Sequence, residues 1–400
     1  MHNLKKQTVI PAGFENVYEE MKLNNDVILK KLMSYRKIQE FPEIPENIGS
    51  LNGEGAALGY PIQGILKYHG MSDWQNRIAY LPSISLNNDA AHTKTYVRFS
   101  PDFAKDKIII NGRIAEGREA DRVLQTLDFI REITNTNTKA LVVSKNFVSI
   151  PEAKGLGTSA SGSVALALAA IQASLGEEYV RNKRFSSIVS RYLAGSGCRS
   201  AAGGISLWLS YPGIPSIDSY AVRLDDNSLD DISLITIPIK SRISLKTEEA
   251  HRDAPNSDFF KTWMLQRKDK VIDVIDAIRD SDFERVAQHA ELDTIELHAV
   301  TMSGQKGRER KIIAWEPETI QIMRRTNEMR EAGIPVYYSI DTGPTPVLIT
   351  FSKYAEEVCE TIEDIAGNYI KSKIAGESHT LNADDVKDEL FTQDVKKLVE

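Results

Sequence analysis

Four short segments of the chain combine residue types that ordinary packing does not require. Residues 151–162, PEAKGLGTSASG, run glycines and small hydroxyl residues straight into a small-residue helix starting near Ser159. Gly155 and Gly157 permit close backbone approach. The first amides of a helix have no partner inside it, and its dipole favours a negative charge there by roughly 0.3–1 kcal/mol. Thr158, Ser159 and Ser161 add hydroxyl donors. Such a loop suits an anion, and the same residues also suit an ordinary tight helix start. The pattern is neither the Walker loop nor the dinucleotide fingerprint.

The second segment, 193–204, reads LAGSGCRSAAGG and sets one cation, Arg199, among residues too small to fill space. Arginine offers a planar fork for a carboxylate or phosphate; the plainer reading is a surface arginine beside a close helix contact. In the third, 339–347 or SIDTGPTPV, a strand delivers Asp341 to a Gly-Pro turn, where aspartate more commonly just forms an Asx-turn. In the fourth, 64–70 or GILKYHG, an apolar strand delivers Lys67 and Tyr68, although a lone lysine is usually solvated.

These segments need elements to hold them. A helix is expected over 15–36, followed by a connection punctuated by Phe41, Pro42, Pro45, Gly53 and Gly55, so that 1–58 reads as an extension without chemistry. Strands are expected over 62–68, 95–99 and 107–110, the last entering an Asn111-Gly112 turn. A helix over 120–133, a strand over 140–148, the glycine loop, a helix over 159–175 and a further segment over 185–209 complete a mixed α/β domain, 59–228. The polar run LDDNSL at 224–229 marks its end, and the apolar stretch 232–239 opens a second sheet. Helices over 258–279, 282–299 and 317–332 and strands over 336–340 and 347–351 make 229–370 an α+β domain. Residues 371–400 are charged and read as a mobile tail.

With 49 Lys and Arg against 56 Asp and Glu, the net charge of −7 gives no general attraction to nucleic acid or anionic membranes, so an anionic ligand must be held locally. No stretch reads as approaching the roughly 18 apolar residues of a membrane span, and the start, MHNLKKQTVIPAG, has only a short apolar run. A cytoplasmic protein is expected. Cys198 and Cys359 lack zinc or redox spacing and read as packing residues.

Taken together, the segments resemble the diphosphomevalonate decarboxylase branch of the galactokinase, homoserine kinase and mevalonate kinase superfamily. The glycine loop is similar to that superfamily's phosphate loop, Pro then Gly-Leu-Gly-Ser-Ser-Ala. Ser196, Cys198, Arg199 and Ser200, with Gly203 and Gly204 after them, match a Gly-Ser-Gly-Ser-Ala-Cys-Arg-Ser stretch whose arginine contacts the substrate carboxylate. Asp341 matches the catalytic aspartate of Asp-Ala-Gly-Pro-Asn, with departures at Thr342, Thr345 and Pro346. Lys67, Tyr68 and Gly70 match Ile-Lys-Tyr-Trp-Gly-Lys, but His69 replaces the tryptophan. Met71 replaces the second lysine, which in the family helps bind a terminal diphosphate. Leu81-Pro82 and Ser85 resemble Leu-Pro-x-Asn-Ser-Ser with the asparagine missing and the loop shortened. Residues 106–113, DKIIINGR, and the helix after them resemble Asp-Arg-Ile-Trp-Leu-Asn-Gly and its following arginine, which makes Arg122 a candidate ligand for the 5-phosphate. A weaker register continues through His298, so the resemblance runs in order over about 59–350.

The resemblance implies a two-domain α+β fold, an N-terminal α/β domain and a C-terminal ferredoxin-like domain, with the site in the cleft between them. It assigns Asp341, Lys67 and Arg199 to catalysis and Tyr68, Arg122, Ser196 and Ser200 to the substrate, with no metal site. Asp341 speaks against the related mevalonate 3-kinase, which lacks that acid. Met71, the altered 81–88 stretch and the added N-terminal helix favour the archaeal mevalonate 3,5-bisphosphate decarboxylase, which uses no nucleotide cofactor. ATP-dependent decarboxylases of phosphomevalonate or diphosphomevalonate, with ATP and magnesium, remain the alternative, because the loop could hold either a substrate phosphate or a nucleotide. A non-catalytic metabolite sensor predicts decay of Asp341 or Arg199, and neither has decayed. A homodimer is the expected assembly, as in many relatives.

Overall fold

The computed structural model describes residues 2–36, 38–45, 50–150, 156–226, 229, 231–242, 246–309 and 311–399. The chain runs from α1 (Glu15–Met33) into β1 (Gly53–Gly59), β2 (Ile62–Leu66), a short hairpin of β3 (Met71–Asp73) and β4 (Ile78–Ala79), then β5 (Ser83–Asn87), β6 (Ala91–Ser100), β7 (Lys107–Ile110) and β8 (Arg113–Ile114). Next come α2 (Gly117–Thr134), β9 (Lys139–Val148), α3 (Thr158–Leu175), α4 (Glu177–Arg181), α5 (Lys183–Arg191), α6 (Gly197–Ala202), β10 (Ile205–Trp208) and β11 (Ala221–Arg223). The second half holds β12 (Ile232–Thr236), α7 (Thr247–Asp253), α8 (Phe260–Leu265), α9 (Arg267–Arg279), α10 (Phe283–Ser303), α11 (Pro317–Glu331), β13 (Val336–Ile340), β14 (Pro346–Phe351), α12 (Ala355–Ala366) and β15 (Ile370–Lys373). The chain closes with β16 (His379–Leu381), α13 (Ala383–Leu390) and α14 (Gln393–Val399).

Among the described residues the strands form a sheet in the order β16-β1-β6-β9-β7-β8, a second in the order β11-β10-β5-β2, and a third, in the C-terminal half, in the order β13-β14-β12-β15. This is the α+β, two-domain arrangement expected. The first sheet buries both faces, as the period of two along its strands requires. Ala57, Val97 and Val142 point to α3, while Ala56, Tyr96, Leu141 and Val143 point the other way. Gly53, Gly55 and Gly59 explain how α3 comes so close: a Cβ on any of them would lie closer than 3.0 Å to a backbone carbonyl of that helix. Two of these glycines, read above as punctuation of a connection, are thus packing positions inside a strand, and the extension ends earlier than residue 58.

The expectation of a mobile tail beyond Lys371 is corrected. β15 completes the third sheet, β16 pairs with β1, and Val386, Leu390 and Val395 cover the otherwise bare face of Tyr96, Leu141 and Val143. Burial of each large side chain stabilises by roughly 1.5–3 kcal/mol, enough to hold the segment down. The membrane expectation also needs amending, since α3 is apolar and long enough by composition to span a bilayer. Its side chains are instead largely buried between β1 and β6 on one side and α5 and α6 on the other. The helix expected over 258–279 is broken at Gln266 into α8 and α9. The N-terminal extension is also packed: Phe14 stacks near Tyr80 of the first half and Phe260 of the second, with ring centroids 4.6 and 6.0 Å away.

Candidate active site

β2 and β13 belong to different sheets, and their side chains tie them together. Gln63 Nε2 donates to Ser339 Oγ at 2.9 Å, and that hydroxyl donates to the Gly64 carbonyl at 2.6 Å. Between them lies α10, started by Asp282, whose side chain accepts from the Arg285 amide. Ala290, Asp293, Thr294 and His298 fall on one face of α10 by their spacing, and each bonds the site. Lys67 leaves the strand because its amide donates to the Asp293 carboxylate, 2.5 Å away, which ends β2 two residues short of the expected limit. Its Nζ reaches the Ala290 carbonyl at 3.2 Å and Thr294 Oγ1 at 3.1 Å. Thr294 Oγ1 also accepts from the Ile340 amide at 3.1 Å, and His298 Nε2 donates to the Asp341 carbonyl at 2.8 Å. One helix face therefore positions both the lysine and the acid.

Gly64 lies between those two groups. A Cβ there would meet Lys67 Cγ at 2.6 Å and Asp341 Oδ1 at 3.0 Å, so the lysine side chain folds back over this glycine toward the carboxylate. Burial pushes the Asp341 carboxyl up from its ordinary range, opposed by Lys67, by Arg199 and by the Gly64 amide. Burial pushes the Lys67 ammonium down, opposed by Asp293 and Asp341. Each charge therefore depends on its partners in a poorly solvated setting.

Arg199, on α6, is 3% exposed, and its Nε and Nη1 are buried without a hydrogen-bond partner among the described residues. A sequestered guanidinium with unmade bonds is costly unless an anion completes it. Its Cζ sits 5.3 Å from the centroid of Tyr68, a cation–π contact. Tyr68 is itself held edge-on to Trp208 and parallel to His251, at 5.1 and 5.2 Å. His251 Nδ1 accepts from the Gly70 amide at 3.0 Å, and burial brings that imidazole down to about 4, so it is neutral at physiological pH.

Of the phosphate-loop residues, Gly157 is the N-cap of α3 in the left-handed region, φ 68°, with no side chain capping the helix. It packs on Pro61 and Ile62, two residues along β2 from Gly64, or about 7 Å. Thr158 is half-buried and Ser159 exposed at that helix start. Gly155 lies outside the described residues. Arg122 is half-buried on α2, with Nε donating to the Leu193 carbonyl at 3.0 Å, and Ser196 occupies the N-cap position of α6, three residues before Arg199, without a side-chain capping bond. Two assignments are corrected. Ser161 is fully buried, its hydroxyl pairing with Thr93 at 2.6 Å and the Thr158 carbonyl at 3.0 Å. Ser200 donates to the Tyr60 carbonyl at 2.6 Å and pairs with Ser378 at 3.0 Å. Both hydroxyls hold the scaffold instead of facing a ligand.

Sequence reasoning missed Gly64 and the buried ion pair beneath Lys67. Arg267 Nη1 lies 2.8 Å from Asp293 Oδ1, both side chains at or below 1% exposure, and Arg267 Nη2 donates to the Lys67 carbonyl at 3.1 Å. The signal for Asp293 was present in its helical spacing from Ala290, Thr294 and His298.

Residues 59–221 match the diphosphomevalonate decarboxylase-like N-terminal domain, and 247–399 match the mevalonate 5-diphosphate decarboxylase C-terminal domain. The chain is similar to the phosphomevalonate decarboxylase of Haloferax volcanii, 32% identical over 78% of this chain and 92% of that one. It is also similar to the mevalonate 3,5-bisphosphate decarboxylase of Thermoplasma acidophilum, 29% identical over 78% of this chain and 75% of that one. The mevalonate diphosphate decarboxylase structure from Staphylococcus aureus superposes with a TM-score of 0.75 at 26% identity, covering 82% of this chain and 98% of that one. The acid, lysine and arginine brought together across two sheets thus sit on a scaffold matched in both halves, and the chain belongs to the diphosphomevalonate decarboxylase family, as a carboxy-lyase of the mevalonate route to isoprenoids.

Proposed function

We propose that the chain converts mevalonate 3,5-bisphosphate to isopentenyl phosphate, carbon dioxide and inorganic phosphate without a nucleotide, in the cytoplasm. The observation that carries the reading is Arg199, buried with two N–H groups unmet, beside the Lys67 and Asp341 pair. Its fork suits the C1 carboxylate, the one substrate group that must be oriented and stay anionic until it departs. As the bond from C3 to the phosphate oxygen breaks, the electrons of the C1–C2 bond form the C2–C3 double bond, and C1 leaves as carbon dioxide. Negative charge gathers on the departing phosphate, where Lys67 and the amides at the start of α3 lie. Positive charge gathers at C3, which ionised Asp341 stabilises.

The Thermoplasma relative supports this choice of substrate. The Haloferax relative and the uncapped start of α3 support a second reading, in which ATP supplies the 3-phosphate and Thr158 and Ser159 help hold it. Release of carbon dioxide and phosphate from the bisphosphate with no nucleotide, beside mevalonate 5-phosphate and 5-diphosphate with ATP and magnesium, separates the two. Turnover of the bisphosphate alone is expected. Turnover only with ATP refutes the first reading in favour of the second. Under either reading Asp341→Asn should lower turnover by orders of magnitude with the fold retained, and normal turnover in that variant would remove the acid from the mechanism.

A further inference from the structure

Residues 74–77 connect β3 to β4 in a turn built with unusual care. Asp73 accepts from the Asn76 amide at 2.9 Å and from the Asn76 side chain at 2.8 Å, and the fully buried Arg191 donates to the Asn76 carbonyl at 3.0 Å. Arg77 follows in the left-handed region, φ 53°. That conformation is costly for a residue with a long side chain and persists only where the surroundings impose it. The result is that Arg77 lies against α2, with Nη2 donating to Gln125 Oε1 at 3.1 Å. Arg118, Arg122 and Gln125 share one face of that helix by their spacing. Arg77 is therefore delivered, against its own backbone preference, to a helix face that already carries two arginines.

Among the described residues Arg77 Nε is shielded from water without a hydrogen-bond partner, and the hydrogen bond of the Arg122 guanidinium is that of its Nε to the Leu193 carbonyl. Burial raises the Tyr68 hydroxyl, opposed by Arg199, Arg77 and Arg122, and Arg199 lies 5.3 Å from the Tyr68 ring centroid. Two of the acids around this face have other partners: Glu248 pairs with both Arg118 and Arg252, and Glu119 pairs with Arg113. Arg252 packs over Trp74, its Cζ 4.3 Å from the ring centroid, which closes the far side of the group. Crowding desolvated guanidiniums without a counter-ion is unfavourable. Burial, with repulsion from Arg77 and Arg118 added to it, brings Arg122 down to about 10.

We propose that Arg77 is a phosphate ligand, which with Arg122 forms a two-guanidinium clamp for the phosphate ester at the substrate end remote from Asp341 and Lys67. The proposal rests on the decarboxylase reading above for the identity of the ester. Met71, where the family carries a second lysine, is turned into an apolar cluster with Cys198 and Trp208, so it offers no charge to that phosphate. Arg77 supplies the missing cation from the adjacent turn. A planar fork fixed at one Nη by Gln125 presents its remaining N–H groups in one orientation, as phosphate recognition favours.

Calorimetric titration of the full chain with mevalonate 5-phosphate, unphosphorylated mevalonate and inorganic phosphate tests the assignment. Arg77→Gly is the first variant, because glycine accepts the left-handed backbone and keeps the turn; its thermal midpoint should equal or exceed that of the wild type. It is expected to bind mevalonate 5-phosphate about 10- to 100-fold more weakly, as loss of charge-assisted bonds predicts, with mevalonate binding unchanged. Arg77→Lys should recover part of the loss. Unchanged affinity of Arg77→Gly for mevalonate 5-phosphate overturns the role of Arg77 and leaves the decarboxylase reading standing. If the wild type binds inorganic phosphate through Arg77 but not mevalonate 5-phosphate, the clamp stands and the substrate reading falls. If phosphate binding is also indifferent to Arg77, both fall.

Discussion

At Gly64, the volume of one methyl group separates Lys67 from Asp341. Gly64→Ala should displace the Lys67 side chain from its Cγ outward and disturb the Nζ contacts with Ala290 and Thr294. A displacement near 1 Å costs about 100-fold in rate where reacting groups must be aligned. The expected outcome is turnover lowered by about that factor, measured as carbon dioxide release beside a melting curve. The pH profile of kcat/KM follows from the same pair. Asp341 acts ionised and its carboxyl is raised, so activity is lost as pH falls through a value above the ordinary carboxylate range. Lys67 acts protonated and its ammonium is lowered, so activity is lost as pH rises through a value below the ordinary lysine range. The profile should be narrowed from both sides, and the acid limb should disappear in Asp341→Asn. An acid limb at the ordinary carboxylate position would contradict the burial of Asp341.

Among elements, α10 has the largest part in the chemistry without supplying a reacting group. Its Asp293 joins the Lys67 amide to Arg267 on α9, so the start of α9, the end of β2 and the acid-bearing turn move as one body. Asp293→Ala leaves the Arg267 guanidinium buried and unpaired, which should cost about 3–5 kcal/mol. Urea denaturation would measure that loss, and Asp293→Asn should recover part of it by keeping the bond to the Lys67 amide. Each of the four chemical segments taken alone had a commoner structural use, and they were legible in the sequence because all four match one family's motifs in the same order. The direction of a hydroxyl was not. Ser161 and Ser200 occur in the right motifs, yet their partners Thr93, Tyr60 and Ser378 lie far away along the chain, and only packing decides which side of a helix they face. Gly53 and Gly55 misled for a related reason: a glycine in a turn and one admitting a helix to a strand look alike until α3 is placed. The apolar pair Val386 and Leu390, four residues apart in a charged stretch, was the legible sign that the last segment forms a covering helix.

Seen whole, both ends of the chain hold the two halves together. The N-terminal segment packs Phe14 against both Tyr80 and Phe260, and Lys31 on α1 pairs with Asp276 on α9 at 2.7 Å. At the other end, β15 lies in the third sheet while β16 lies in the first, with the Gly204 amide donating to the Ala375 carbonyl at 3.2 Å between them. Removing residues 376–400 should leave Tyr96, Leu141 and Val143 bare and β1 as an open edge, so the truncated chain is expected to aggregate at concentrations where the full chain stays dispersed. Light scattering of the two forms at equal concentration checks this. The same pairing sets an order of assembly. Domains ordinarily fold from the N-terminus as they emerge during synthesis, but β1 pairs with β16, which follows it only after the whole second half has been made. The first sheet therefore stays open at its β1 edge until both halves of the chain have been synthesised, and that edge is a site for unwanted strand pairing until then.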